Sequence, residues 1–439
     1  MPKLRRAIQL SIALFLTWAS IAMVRLPWIV GEEQDLIPTC TAIKIWLNRH
    51  VFPNQLYDTS FIRNHFLVVN TTRDQALTSE YDPMDPKKTP GIPITDRQKL
   101  TDLLRMCNQY PSTYGQVICD VQFQLPSTKK STDDSLGYYI GLLQSKGKII
   151  FGAAYDRRSG QYECSSIPLE KKNIGFTNRD EVSGYYFRHT LSYRQAEVVS
   201  LPFLMYARHH HAHLENSRVP GLVNIVTREG SHLCYNSFIP EMLFSKADFD
   251  RYYNDPSLQD NLLYSRHMAI CDLGTIAGDK SGLTFRSLLD TVFCKKDIFI
   301  GAITGKHADR YSTLYGELDG TIILLNTYYC LELHYNEVSM LHLLISLGFF
   351  LFIAWRIVYD KQKKHKAPKT LRQYIKYVVI KRSYYLSLLG LTALSYFVFH
   401  HETNLIVLLI LIEILHAIAG HVRKYRIIRQ AVPDEVVVG

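Results

Sequence analysis

Four long apolar stretches frame a mixed segment of about 300 residues. They run from about Ala7 to Val24, from Val338 to about Val358, from Tyr384 to Phe399 and from Asn404 to about Gly420. A helix needs about 17 to 25 residues to cross a bilayer, so four transmembrane α-helices are expected. Between the first two, short apolar runs read as buried strands: His65 to Asn70, Gln116 to Phe123, Lys148 to Ala154 and Asp297 to Ile303. Helical spacing separates the first three, over Asp96 to Asn108 (Leu100, Leu103, Leu104 and Cys107 on one face) and Asp133 to Gln144 (Leu136, Ile140, Leu143). Strand and helix alternate, which predicts an α/β domain with a mainly parallel sheet. Leu201 to Arg208 reads as helical, Ser79 to Ile94 with its four prolines as a loop, and the rest of 155–290 as an insertion of hairpins and loops.

Basic residues orient these elements, because short loops rich in Lys and Arg stay cytoplasmic. Lys3, Arg5 and Arg6 precede the first span. The connection between spans two and three carries ten basic residues, from Arg356 to Arg382, against Asp360 alone, and Arg423, Lys424, Arg426 and Arg429 follow the fourth. The expected organisation is therefore a cytoplasmic N-terminus with span one over 1–30, an outer domain over 31–337 and span two over 338–358. A basic cytoplasmic loop over 359–383, spans three and four over 384–420 and a cytoplasmic tail over 421–439 complete it. Arg25 sits where it can snorkel to the outer interface. A cleaved signal peptide ending near Ser20-Ile21-Ala22 is the competing reading of the N-terminus.

This partition accounts for the net charge of +10. Removing the 18 basic and five acidic residues outside 31–337 from the chain's 50 and 40 leaves 32 and 35, so the outer segment carries about −3. The excess positive charge is a topology signal that also favours contact with lipid headgroups of the bilayer, and nucleic acid is not an expected partner. All eight cysteines (Cys40, Cys107, Cys119, Cys164, Cys234, Cys271, Cys294 and Cys330) fall in the outer segment. Such segregation reads as an oxidising compartment with up to four disulfides, in any of 105 connectivities; buried thiols are the alternative.

Few motifs carry chemistry. Gly301 to Lys306 imitates a phosphate-binding loop, but it is one residue short of the required spacing and His307 stands where Ser or Thr should hold magnesium. In the run Arg208 to Glu215, a continued helix would place His209 and His213 on one face, with Glu215 or His232 as a third ligand for zinc or copper. A histidine-rich exposed loop is the plainer reading, and no cofactor is expected. In span four, Glu413 and His416 stand three apart and are expected to pair with each other or with neighbouring spans.

The segment Asp297 to Leu331 resembles the second type of CHASE domain (CHASE-two), an extracytoplasmic sensory domain of bacterial receptors. Ile300-Gly301, Asp309, Thr313, Gly316, Gly320, Asn326 and Leu331 occupy places similar to that family's pattern, and Asp120 and Phe123 resemble its second strand. Asn70-Thr71-Thr72 replaces the family's acidic strand end, and Thr313-Leu314 its Thr-Pro. The resemblance implies a sensory domain over about 60–335 in the bacterial inner membrane. Gly301 would allow close backbone approach, and Asp309, Thr313 and Asp120 are candidate ligand-binding residues at the carboxyl end of the sheet; simple loop hydrogen bonding is the alternative for Asp309 and Thr313. Those receptors usually continue into a kinase, cyclase or phosphatase domain, whereas this chain stops at Gly439. The expectation is a non-enzymatic sensor subunit that signals through a protein partner in the membrane or cytoplasm. A structural subunit of an envelope complex is the rival reading, and a metal-dependent envelope enzyme a third.

Overall fold

The four apolar runs read as strands pair in a single parallel sheet. A computed structural model of the 439-residue chain describes residues 2–22, 43, 65–71, 75–77, 93–178, 180–182, 186–194, 197–238, 240, 295–302, 310–313, 316–359, 383–399 and 405–431. Its principal elements are α1 (Pro2–Ala22), β1 (Phe66–Asn70), α2 (Arg97–Gln109), β2 (Val117–Cys119), α3 (Lys130–Ser145) and β3 (Ile149–Ala153). They continue with β4 (Ile174–Phe176), α4 (Leu201–His210), β5 (Asp297–Gly301), α5 (Gly320–Glu332), α6 (Met340–Tyr359), α7 (Ser383–Phe399) and α8 (Leu405–Ala431). The strand order is β1-β5-β2-β3-β4, and every pairing is parallel. β4 was not expected from the sequence, and β5, last in the chain, inserts between β1 and β2.

Period-two alternation sends neighbouring side chains to opposite faces. Leu67, Val69, Val117, Cys119, Ile149, Phe151, Ile298 and Ile300 pack with α2 and α3. Phe66, Val68, Ile118, Ile150 and Phe299 pack with α4 and α5 on the other face. The result is a three-layer α/β arrangement in which both faces of the sheet are dry. Leu100, Leu103, Leu104, Leu136, Ile140 and Leu143 have no exposed surface, and each such side chain contributes about 1.5–3 kcal/mol. The helix ends are set locally. Asp96 accepts hydrogen bonds from the Gln98 and Lys99 amides at 2.9 and 3.1 Å, capping α2. Ser200 caps α4, and His211, left-handed at φ 50°, ends it.

A three-stranded antiparallel meander, His213–Asn216, Leu222–Val226 and Ser231–Tyr235, occupies part of the expected hairpin region. Val223, Ile225 and Cys234 bury it against the α4–α5 core. Its last strand is stitched to the turn between α5 and α6: the Tyr235 amide donates to the Asn336 carbonyl and the Val338 amide to the Leu233 carbonyl, both at 2.8 Å.

Of the described helices, α6 alone is both long and apolar enough to cross a membrane. Four spans were expected; α7 and α8 contribute only shorter apolar stretches, Tyr385–Phe399 and Val407–Val422. The four helices nonetheless share one core, built from Ala13, Leu16, Phe350, Ile353, Leu388, Leu391, Leu408 and Ile412. α1 and α6 run antiparallel, since Ile21 and Leu343 pack against one small cluster of Leu222, Tyr235 and Val338 while Gln9 donates to the Leu351 carbonyl at 3.2 Å. Two polar pairs stand in the bundle: His342 with Ser395 at 2.8 Å, and the Tyr385 hydroxyl donating to Glu413.

Gly175 of β4 lies directly under the start of α4, and a Cβ there would stand 2.5 Å from the Leu201 Cα and 2.6 Å from its amide nitrogen. Backbone cannot yield cheaply, so Gly175→Ala should destabilise the protein by about 1–3 kcal/mol or more. Gly141, inside α3, has nothing within 4 Å of such a Cβ, and Gly141→Ala should stabilise by about 0.5–1 kcal/mol. Chemical denaturation of both variants beside the parent checks the pair of signs.

Candidate functional site

Open parallel sheets place ligands beyond the carboxyl ends of their strands, where the covering helices change face. Here that point lies between β2, which leads into α3, and β5, which leads toward α5 on the other face. A cleft of about 370 Å³ opens there. Asp120 and Gln122 line it just past β2, Gly152 to Ala154 at β3, Thr177 and Asn178 past β4, and Ala302 past β5. Tyr311 and the first residues of α5, Gly320 and Thr321, close it.

Strand ladders carry on into the lining. The Asp120 amide donates to the Ile300 carbonyl at 2.8 Å, and the Thr177 amide to the Ala153 carbonyl at 3.0 Å. Asp120 is held by the Thr321 hydroxyl, which donates to its Oδ2 at 3.4 Å. Two glycines admit this contact. A Cβ on Gly152 would come within 2.8 Å of the Asp120 Oδ1, and one on Gly301 within 2.5 Å of the Thr321 Oγ1. Asn178 belongs to the scaffold, because its amide bonds both the nitrogen and the carbonyl of Tyr155, at 2.6 and 2.9 Å. The Gln122 wall is fixed from below by Arg97, whose side chain is 1% exposed. Its Nη2 donates to the Gln122 and Leu125 carbonyls at 3.5 and 3.2 Å, and its guanidinium lies 4.4 Å from the Phe123 ring centre. Burial pushes the Arg97 pKa down, partly offset by Asp133.

Of the residues expected to bind a ligand, Asp120 lines the cleft and Gly301 supports it from beneath Thr321. Thr313 does not line it: it is buried in the hairpin formed by Arg310–Thr313 and Gly316–Asp319, paired with Gly316. The hairpin carries Tyr311 into the cleft in its place. Asp309 lies outside the described residues. Gln122, Thr177, Asn178 and Thr321 went unnoticed in the sequence, although the residue that follows each strand end was the place to look.

The histidine run does not bring together the metal ligands considered for it as the less plain reading. His211 breaks the helix, so His209 and His213 fall on different elements, and among the described residues no group of three potential ligands is placed to hold a metal. His213 instead approaches Glu215 at 3.3 Å on an exposed strand. His209 turns to the opposite end of the sheet from the cleft. Its Nε2 lies 2.5 Å from the Asp297 Oδ2, and its Nδ1 3.4 Å from the Tyr328 hydroxyl. Asp297 is further fixed by the Gln116 amide at 2.8 Å, and Gly115 leaves room for the carboxylate, since a Cβ there would meet its Oδ1 at 2.2 Å. Burial pushes the Tyr328 pKa far up, so the chain of contacts ends on a hydroxyl that stays protonated.

The cysteine expectation also changes. No disulfide joins two of the described cysteines. Cys107 and Cys119 are thiols inside the sheet–helix core, pushed up to about 12 by burial, and thus behave as small apolar residues. Cys234 is a buried thiol and Cys164 an exposed one. Cys330 is buried in α5. Cys40, Cys271 and Cys294 lie outside the described residues.

The His209 pKa is raised, chiefly by its hydrogen bond to Asp297 and against the opposing effect of burial. A raised folded value means that the protonated pair stabilises the fold fully below the unfolded histidine value of about 6.5. That contribution is lost as pH rises through the higher folded value. The stability difference between the parent and His209→Gln should therefore be larger at pH 5.5 than at pH 8.5, by about 1–3 kcal/mol for a charge-assisted bond. Denaturant unfolding at the two pH values measures it.

No protein-family model, curated protein or solved structure matches this chain.

Proposed function

We propose that the chain is a sensor subunit of a bacterial inner membrane: its α/β domain, outside the cytoplasm, binds a small ligand in the cleft and passes the bound state to the membrane helices. The observation that carries this reading is the course of α5. Its first residues, Gly320 and Thr321, close the cleft. Its last, Glu332, is followed by a short turn and then by α6, which begins at Met340. Thirteen residues at 1.5 Å each make a rod of about 20 Å, packed along α4 and buried over nearly its whole length. A ligand that draws on Thr321 therefore acts on an element whose far end enters the membrane-spanning part directly.

The cleft favours one kind of ligand. Among the described lining residues, Asp120 is the only charged side chain, and it occupies the N-terminus of α5, where an anion would otherwise be attracted. A small molecule that presents hydrogen-bond donors and no negative charge fits; an anion would meet the carboxylate.

Four spans are part of this reading. All but four of the exposed large apolar side chains among the described residues lie on α1, α6, α7 and α8, forming a surface suited to lipid. The exceptions, Ile43, Leu125, Tyr138 and Leu333, are scattered in sequence. A structural subunit that docks through its outer domain would instead present a contiguous apolar patch there. Both termini lie in the cytoplasm in this arrangement, and the basic connection between α6 and α7 offers a docking place for a cytoplasmic partner that reads the signal.

The test is a thermal-shift screen of small neutral and cationic solutes against the full-length protein in lipid nanodiscs, run in parallel on Asp120→Asn. At least one solute should raise the melting temperature of the parent and fail on Asp120→Asn, while the two unliganded proteins melt alike. Solutes that stabilise both equally would remove Asp120 from the site, and no stabilisation by either class would end the ligand reading.

A further inference from the structure

At the end of the sheet away from the cleft, three carboxylates and four imidazoles meet where α4, α5, β5 and the Ser231–Tyr235 strand converge. His209 of α4 pairs with Asp297 of β5, and His210 with Glu332 at the last turn of α5, at 2.9 Å. In the turn before α6, Glu337 receives His232 on one oxygen at 3.3 Å and His334 on the other at 3.7 Å. The rings are close as well: Tyr206 lies 4.4 Å from His210 between centroids, and His232 5.8 Å from His334.

We propose that this layer is a proton-binding site and gives the outer domain a second input, the acidity of its compartment. Imidazole is the side chain that gains charge between about pH 5 and 8. With the imidazoles neutral, Asp297, Glu332 and Glu337 bring three carboxylates together around the end of α5 without their imidazolium partners. With them protonated, every carboxylate faces a cation, and α5 and the turn that follows are drawn against α4 and the Ser231–Tyr235 strand. Acid therefore tightens the junction and alkali loosens it.

The groups that face the layer are consistent with that sign. Toward His209, β5 presents Asp297 and α5 presents Tyr328 and Glu332, while the neighbouring cation Arg208 is turned away to Asn173 at 2.7 Å. Toward Glu337 stand the buried Cys234 and Tyr206, whose pKa values are both raised, first by burial and then by nearby carboxylates including Glu337. The most effective pair is His209–Asp297, at 31% and 4% exposed; the others are more open to solvent and individually weaker. The link to the membrane rests on the proposed sensory role, but the proton response is a property of the layer itself.

Hydrogen–deuterium exchange of the full-length protein in nanodiscs at pH 5.5 and 8.0, with labelling times scaled for the intrinsic rate, tests this. Residues 320–338 should be protected about tenfold more at the lower pH, the factor one charge-assisted hydrogen bond supplies. The quadruple variant His209→Gln, His210→Gln, His232→Gln, His334→Gln should show equal protection at both. Should it not fold, His210→Gln alone, at a half-exposed pair, should reduce the ratio. Asp120→Asn should keep the full ratio, which separates this site from the cleft. Equal protection at the two pH values in the parent, or an undiminished ratio in the histidine variants, would overturn the proposal.

Discussion

Five residues of β5 hold the arrangement together. The strand enters the sheet between β1 and β2, hydrogen-bonds both and is buried along its whole length. Its central residues divide between the two cores: Phe299 faces α4 and α5, whereas Ile298 and Ile300 face α2 and α3. Without it, β1 would be cut off from β2 and each helical layer would lose the middle of its floor. The terminal residues carry the chemistry. Asp297 receives His209 at one end, and Gly301 lets the start of α5 close down at the other. A strand buried on both faces cannot shift by one residue without turning its core side chains over. The positions of Asp297 and Gly301, and so the distance between the two polar sites, are fixed by packing.

Two polar sites at opposite ends of one sheet share α5 as their common element. The cleft holds its N-terminal Thr321 and the imidazole layer its C-terminal Glu332. Binding at either end shifts an equilibrium only by the difference in affinity for its two positions. A contact as modest as the 3.4 Å bond between Thr321 and Asp120 can be remade by a ligand at little cost. The apolar body of α5, from Ile322 to Leu331, is fully buried and resists bending, so displacement at one end is carried as movement of the rod.

Much of this fold could be read from residue order. Apolar runs of four to six residues separated by helical periodicity give strands, helices and their faces, as Leu100, Leu103 and Leu104 illustrate. The capping Asp96 and the glycine at 301 announce their roles by chemistry alone. Strand order could not be read, because β5 follows β4 by some 120 residues and nothing local says that it pairs with β1. β4 itself was hidden: Ile174–Phe176 has three residues with a glycine in the middle, and its burial comes from Leu201 lying across it. The metal alternative for the histidine run fails for a similar reason. Periodicity assumes a continuing helix, and the left-handed His211 ends it one residue after His210. The cleft was half legible, since Asp120 and Gly301 stand at strand ends, but Thr177 and Asn178 follow the strand that was not seen.

The way the domain is attached limits what any signal can do. α1 and α6 are antiparallel and meet the domain at the same place, where Ile21 and Leu343 pack against Leu222, Tyr235 and Val338. α6 is covalently continuous with α5 through the stitched turn, whereas α1 touches the domain through side chains alone in the described residues. A displacement of α5 must then appear as movement of α6 relative to α1, along a contact that includes the Gln9–Leu351 hydrogen bond. The polar pairs of the bundle stand across this path: His342 at the start of α6 holds Ser395 of α7, and Tyr385 of α7 holds Glu413 of α8. In an apolar surrounding such bonds are costly to leave unmade. They either carry α7 and α8 along with α6 or set the discrete positions between which the helices step.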